Sequence, residues 1–457
     1  MNARRAWVAW TLAVAAGLCI YTGFHRVGSP PSERAVITAD GPCAAGAERI
    51  LSDLAECQDR WIVLPPGSTP FGVRQIRLHL RRDGNRLDLQ GELDGRPLPA
   101  QSGTPAEALA GLARALNLRP ADHSLIPDGL AGWELLDLAG RGQDETTQAL
   151  LARAEALVRA EPRCAAARLA YGTLLTRFLV EHSAFDTLDA QAACEFNFRE
   201  GLAALPDYPR LAELYAIHLT DIGRSREALD LMRDTLRRHP GNLKLLNALA
   251  YAARASGLLD LADRTLDRRA KLAGQPRGQQ ALSDNTLLYQ GRFVAFEAEL
   301  AALPSGPMKA FYQGYVRLLQ GDPAGAATHF QEADRPGLGS SLFVRLAHVY
   351  ALACNGQRFE ALAALDALEA ERDQIHLPDG EFTFKLAEAY GFLGEPGHAL
   401  DVAQRASVQG FDCADWFERA PFLAEARKLP KWRSLDQHLR EREALTEAAY
   451  PPSAFGM

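Results

Sequence analysis

The chain has 457 residues, of which 47% are hydrophobic, and its formal net charge is -7. That much apolar material supports a sizeable core, and the acidic balance argues against a broad nucleic-acid surface. Six Lys against forty-four Arg reads as GC-rich bacterial coding bias rather than as a binding site, and seven Cys without a CxxC motif signal neither a zinc site nor a thioredoxin-like site.

In chain order, residues 6–24 carry no charge and follow Arg4 and Arg5, with Trp7 and Trp10 near one end and Tyr21 near the other. Nineteen residues at about 1.5 Å each reach roughly 28 Å, close to the hydrocarbon thickness of a bilayer. The reading is a transmembrane signal-anchor helix over 1–27, with a cleaved signal peptide or a lipidated Cys19 as alternatives; each places the bulk of the chain outside the cytoplasm. The expected location is the bacterial inner membrane, single-pass, with a periplasmic body. Residues 28–42, with Ser29-Pro30-Pro31, are expected to be a linker.

Residues 43–120 form a small α+β unit. A helix with Ile50, Leu51 and Leu54 precedes a short strand at 61–64. Ile76, Leu78 and Leu80 alternate with Arg77, His79 and Arg81; after a turn at Asp83-Gly84-Asn85, Leu87, Leu89 and Leu93 alternate again, which is a hairpin with one buried face. Thr104-Pro105-Ala106-Glu107 is a capping box opening a helix with Leu109, Leu112 and Leu116 on one side.

Residues 121–445 are expected to be a helical repeat domain, introduced by a connector with Trp133 and by a helix over 145–160. Its clearest part is a unit that recurs after thirty-four residues. Tyr215-Ala216, Leu219, Gly223 and Ala228 are followed by Leu249-Ala250, Ala253, Gly257 and Ala262. A large residue beside a small one, then a turn Gly, then Ala on a second helix, is the mark of stacked helical hairpins. Looser copies turn at Gly291, Gly321, Gly356 and Gly394, and Leu169-Ala170 pairs with a helix around Cys194, Phe198 and Gly201 after about a dozen inserted residues near 182–188, giving about seven pairs. This pattern resembles the tetratricopeptide repeat (TPR) family. The fold class expected is mostly α: a TPR-like α-solenoid after a membrane anchor and an α+β unit.

A second resemblance adds to the first. RRDGNRLDLQGELDG at 81–95, TPAEALAGLARAL at 104–116, and a closing segment with Asp415-Trp416-Phe417, Pro421-Phe422-Leu423 and Leu429-Pro430-Lys431-Trp432 are similar to the effector half of CadC-like membrane regulators and of TPR-bearing bacterial adenylate cyclases and kinases. Those relatives carry an output domain across the membrane, where this chain has about five residues, so neither transcription nor cyclase activity follows. Residues 415–442 are expected to cap the array, and 446–457 to be a flexible tail.

No HExxH, GxSxG, GxxxxGK[ST] or EF-hand motif is present, so no metal, cofactor or catalytic residue is assigned. Gly337-Leu338-Gly339-Ser340-Ser341 reads as a loop at a repeat boundary. The histidines at 79, 218, 329 and 348 read as ordinary surface or core residues. A hydrolase using His182, Ser183 and Asp186 of the inserted loop is one alternative function. The others are an accessory factor of a secretion or surface-polymer machine, and a non-enzymatic scaffold or sensor partner that presents its groove to a protein or peptide.

The resemblance implies that the first helix of each pair lines that groove. Its exposed stripe would carry Arg210, Glu213, Ile217 and Asp221, then Lys244, Asn247, Tyr251 and Arg254, then Met308, Phe311, Tyr315 and Leu318. The middle set offers cation, amide and aromatic to a peptide carboxylate; a plain solvated helix face has the same composition. Phe311 and Tyr315 also suit packing between repeats. Outside the cytoplasm Cys43 with Cys57, and Cys164 with Cys194, are candidate disulfides, with small buried residues as the alternative.

Overall fold

The computed structural model describes residues 33–457 except 69–71, 120–124, 128, 141–147, 182–186, 278–284, 336–341 and 373–378. The expected anchor at 6–24 therefore lies outside the described residues, as do the Gly337–Ser341 loop and the His182, Ser183 and Asp186 trio. Among the described residues no helix is long and apolar enough to cross a membrane.

The chain opens with a strand where a linker was expected. β1 (Arg34–Asp40) lies between β2 (Ile62–Leu64) and β3 (Val73–Asp83), parallel to both. Its run Ala35-Val36-Ile37 is buried to 2% exposure or less, because a parallel central strand is covered on both faces and reads as a continuous apolar run. The short polar-flanked run hid that pattern. β3 and β4 (Arg86–Leu93) form the expected hairpin, with Leu80 opposite Leu89. β5 (Arg96–Pro97) and β6 (Gln101–Gly103) both pair with β4.

α1 (Ala44–Cys57) and α2 (Pro105–Ala115) cover the sheet, with Ile50, Leu51, Leu109 and Leu112 inaccessible. The capping box forms as the sequence indicates: the Thr104 backbone N–H donates to Glu107 Oε2 at 2.9 Å, and the Glu107 N–H donates to Thr104 Oγ1 at 3.3 Å.

α3 (Leu130–Gly140) and α4 (Gln148–Ala160) lead into the array; Trp133 is fully buried and donates to the Pro127 carbonyl at 3.1 Å. Seven hairpins follow among the described residues. They are α5 (Ala165–Glu181) with α6 (Thr187–Ala204), α7 (Pro209–Asp221) with α8 (Ser225–Arg238), and α9 (Leu243–Ala255) with α10 (Leu259–Ala273). Next come α11 (Thr286–Tyr289) with α12 (Phe293–Ala302), α13 (Pro307–Leu319) with α14 (Pro323–Ala333), α15 (Leu342–Cys354) with α16 (Arg358–Arg372), and α17 (Gly380–Phe392) with α18 (Pro396–Val408). α7 and α9 start thirty-four residues apart, as do α8 and α10. The turn glycines Gly223 and Gly257 have φ of +80° and +82°, a conformation L side chains rarely adopt. This is a TPR-like arrangement of helical hairpins, mostly α, with a small sheet unit at one end.

α19 (Ala414–Arg419) and α20 (Trp432–Ala449) close the array, burying Trp416, Phe417 and Leu439. The tail expected to be flexible is instead docked. A 3-10 turn at Pro452–Phe455 seats Tyr450 and Phe455, 6% and 5% exposed, in the cluster with Met232 and Leu261. Arg268 Nη1 donates to the Phe455 carbonyl at 3.0 Å and the Tyr450 hydroxyl to the Arg226 carbonyl at 3.1 Å. Two buried aromatics outweigh the loop-like Pro451-Pro452 composition.

Repeat arrays ordinarily touch only their neighbours. This one curls until its last hairpin meets its middle. The Asp379 N–H donates to the Asp221 carbonyl at 2.9 Å and the Asp412 N–H to the Ala255 carbonyl at 2.8 Å. At this seam Gly223 and Gly410 lie back to back; a Cβ on Gly410 would come within 2.4 Å of the Gly223 Cα.

Candidate functional site: a cavity between the sheet unit and the array

The curl sorts the expected groove residues into two groups. Arg254, Phe311 and Tyr315 are internal, and Tyr251 is half-buried against Arg254. Arg254 is 5% exposed; its Nη2 donates to Glu381 Oε2 at 2.8 Å, and its guanidinium lies 5.0 Å from the Tyr251 ring centroid. The Tyr251 hydroxyl donates to Asp221 Oδ1 at 2.6 Å. Phe311 and Tyr315 are inaccessible and stack with ring centroids 5.9 Å apart. These four residues were expected to face a partner; they face the rest of the chain instead, because α17 occupies the space an open groove would leave. Met308 alone of that stripe is substantially exposed, at 47%.

α17 brings charge into this interior. Glu381, Lys385 and Glu388 recur at helical spacing and are all buried. Glu381 accepts from Asn285 Nδ2 and the Tyr289 hydroxyl, each at 2.6 Å. The Lys385 ammonium sits 4.6 Å from the Tyr315 ring centroid and 5.5 Å from those of Tyr289 and Tyr312, a cation–π cage. Burial pushes Lys385 below its ordinary pKa, against the pull of Glu388 and Glu381. Burial also raises Glu388 to about 7, with Lys385 opposing. The Tyr315 hydroxyl and Trp416 indole N–H face Glu388 without closing strict hydrogen bonds.

Arg210, Glu213, Lys244 and Asn247 form the second group. They are half-buried and line one cavity of about 300 Å³ between α7, α9 and the sheet unit. The sheet unit is held over them by specific bonds. Lys244 Nζ donates to Glu56 Oε1 at 2.6 Å, the Tyr208 hydroxyl to Asp53 Oδ2 at 2.6 Å, and Arg34 Nε to the Leu272 carbonyl at 2.7 Å; His239 Nδ1 lies 3.1 Å from Asp59 Oδ2. Val36, Ile62 and Leu64 pack on Leu243 and Ala273.

The facing wall comprises Ile37, Val63, Leu64, Pro65 and Pro66, with Glu48 and Arg49 from α1. Burial raises the Glu213 carboxyl above the usual carboxylate range despite Arg210 and Lys244 beside it. Burial works against the Arg210 charge, but Asp53 and Glu213 more than offset it and raise its pKa. Among the described residues Arg210, Glu213 and Asn247 make no side-chain hydrogen bond or direct ion pair. The contribution of β2 and α1 to this site was not foreseen; nothing in the repeat pattern says that the sheet unit folds back over the array.

The proposed disulfides are not formed. Cys43 caps the start of α1 and Cys57 ends it, fourteen residues on. That is about 20 Å along a helix, against the roughly 7 Å limit between bridged Cα atoms. Cys164 precedes α5 and lies 3.9 Å from the Leu125 carbonyl, whereas Cys194 on α6 lies 3.4 Å from Thr176 and 3.9 Å from His218, near the far end of α5. The alternative, small buried residues, describes Cys43, Cys164 and Cys194. Among the described residues no group of His, Cys, Asp and Glu is placed to hold a metal ion.

No family model matches the chain, and no curated protein matches it. Solved structures do. The Cut9–Hcn1 hetero-tetramer of APC/C aligns at TM-score 0.44 and 13% identity over 71% of this chain, which spans 61% of that chain's length. The human IFIT1 dimer with PPP-AAAA aligns at TM-score 0.40 and 15% identity over 65% of this chain and 76% of that one. These values are too low to place the chain in either protein's family.

Proposed function

We propose that the chain is a non-enzymatic binding scaffold or sensor partner of the bacterial cell envelope, and that its partner engages the cavity between the sheet unit and the array. One observation carries this reading. Two successive inner helices direct a cation, a carboxylate and an amide, none with a side-chain hydrogen bond among the described residues, into the same cavity. Their polar atoms are open to the cavity, where water holds them until a ligand with matching groups displaces it. Most of the remaining groove stripe is committed internally, so the site has moved from the open face of the array to its junction with the sheet unit.

The envelope location rests on the uncharged stretch at 6–24 after Arg4 and Arg5. Membrane fractionation tests it: the full chain is expected to sediment with membranes and resist carbonate extraction, and recovery in the cytosolic fraction would reject it. Partner binding is tested by crosslinking and capture from envelope membranes. The Arg210→Gln/Asn247→Ala chain is expected to lose most of the capture while keeping its melting midpoint; undiminished capture would reject the cavity as the contact site.

A further inference from the structure

We infer that this cavity binds a free α-amino acid with an apolar side chain, a ligand that carries both charges on one small body. The inference rests on the reading of the cavity as the binding site and narrows its occupant. Arg210 and Glu213 stand three residues apart on α7, so their head groups share one turn of one helix face. The other cations of that wall are committed: Lys244 to Glu56 at 2.6 Å, and Arg269 through Nε to the Leu243 carbonyl at 3.2 Å. That leaves one guanidinium, one carboxylate and the Asn247 amide on the array side. Glu48 and Arg49 on the facing side are again one charge of each sign.

A simple anion meets Arg210 but is repelled by Glu213, and a simple cation meets the reverse. The carboxyl end of a peptide brings a negative charge alone and adds nothing for Glu213 beyond the Arg210 and Lys244 charges already beside it; the amino end brings a positive charge alone and adds nothing for Arg210 beyond Asp53 and Glu213. A zwitterion satisfies both, with the carboxylate toward Arg210 and Asn247 and the ammonium toward Glu213. Ile37, Val63 and Leu64 offer its side chain an apolar wall. About 300 Å³ is at the small end of ligand sites and holds a compact molecule. Such a ligand touches both the sheet unit and the array and so fastens one to the other.

The test is calorimetric titration and thermal melting of the detergent-solubilised full chain with L-leucine, L-valine, L-phenylalanine, N-acetyl-L-leucine and L-leucinamide. At least one free amino acid is expected to bind and raise the melting midpoint, and both blocked leucine derivatives to bind at least tenfold more weakly than leucine. Arg210→Gln and Glu213→Gln should each remove the ligand-induced rise; circular dichroism and the unliganded midpoint confirm that each variant folds. Blocked derivatives that bind as well as leucine, or no rise with any of the three amino acids, would overturn the inference. If the amino acids fail while Arg210→Gln/Asn247→Ala still abolishes partner capture, the cavity remains a protein-binding site and only the ligand class falls; failure of both removes the site.

Discussion

Arg254 Nη2 lies 2.8 Å from Glu381 Oε2, joining α9 to α17 across 127 positions of sequence with both side chains 10% exposed or less. A solvated groove arginine contributes little to stability, but a buried pair broken on one side leaves an uncompensated charge. Arg254→Ala is therefore expected to lower unfolding free energy by about 3–5 kcal/mol, read from urea denaturation. A loss below about 1 kcal/mol would describe an exposed pair and an open groove.

Glu388 gives the interior a pH signature. Its pKa is raised from 4.5 to about 7 in the folded chain, so the native state holds a proton that the unfolded state releases. That stability is fully present below 4.5 and is lost as pH rises through 7, about 3 kcal/mol over the window. Glu443, also raised to about 7 by burial and by Asp415, has the same sign. His218 has the opposite sign: burial lowers it from 6.5 to about 4, so its contribution is present above 6.5 and lost as pH falls through 4. Two groups of the first sign against one of the second leave these three together favouring pH 5 over pH 8 by about 3 kcal/mol. Glu388→Gln, which cannot ionise, should be relatively more stable at pH 8 than at pH 5 when its urea midpoints are compared with wild type. Identical pH dependence in the two chains would refute the assignment.

The described cysteines should behave as thiols. Burial pushes Cys194 up to about 12 and Cys413 higher still, which suppresses the reactive thiolate. Iodoacetamide followed by mass spectrometry should leave Cys164, Cys194 and Cys413 unlabelled until denaturant is added, and a reductant should not shift the melting midpoint. Recovery of a peptide linking Cys43 to Cys57, or Cys164 to Cys194, would restore the rejected pairing.

The docked tail predicts a cost for its removal. Phe455 sits at 5% exposure against the cluster that includes Met232. Phe455→Ala should destabilise the chain by about 3 kcal/mol, the usual order for a buried aromatic, and should speed proteolysis beyond residue 446. A change of a few tenths of a kcal/mol would be that of a frayed end.

What the sequence made legible is local. Gly223 and Gly257 turn because their φ values demand glycine, and Thr104 with Glu107 caps because the two side chains serve each other's backbone. Spacing of that kind is written within one hairpin. Curvature is not: it accumulates from small rotations between repeats, and only the sum brings Gly410 against Gly223 and α17 over Arg254. For the same reason the stripe containing Tyr251, Arg254, Phe311 and Tyr315 was read as a groove, although Arg210, Glu213, Lys244 and Asn247 do meet at one cavity. β1 was hidden because its apolar run is only Ala35-Val36-Ile37, flanked by Glu33-Arg34 and Asp40 and closely preceded by Ser29-Pro30-Pro31.

Whether the cavity is the contact site is decided by partner capture from envelope membranes, with wild type beside Arg210→Gln/Asn247→Ala and beside a surface control, Phe359→Ser, at a position 81% exposed and outside the cavity lining. The double variant is expected to lose most of the captured partner while the control retains it, with all three chains melting alike. Equal capture by the double variant and wild type would contradict that assignment.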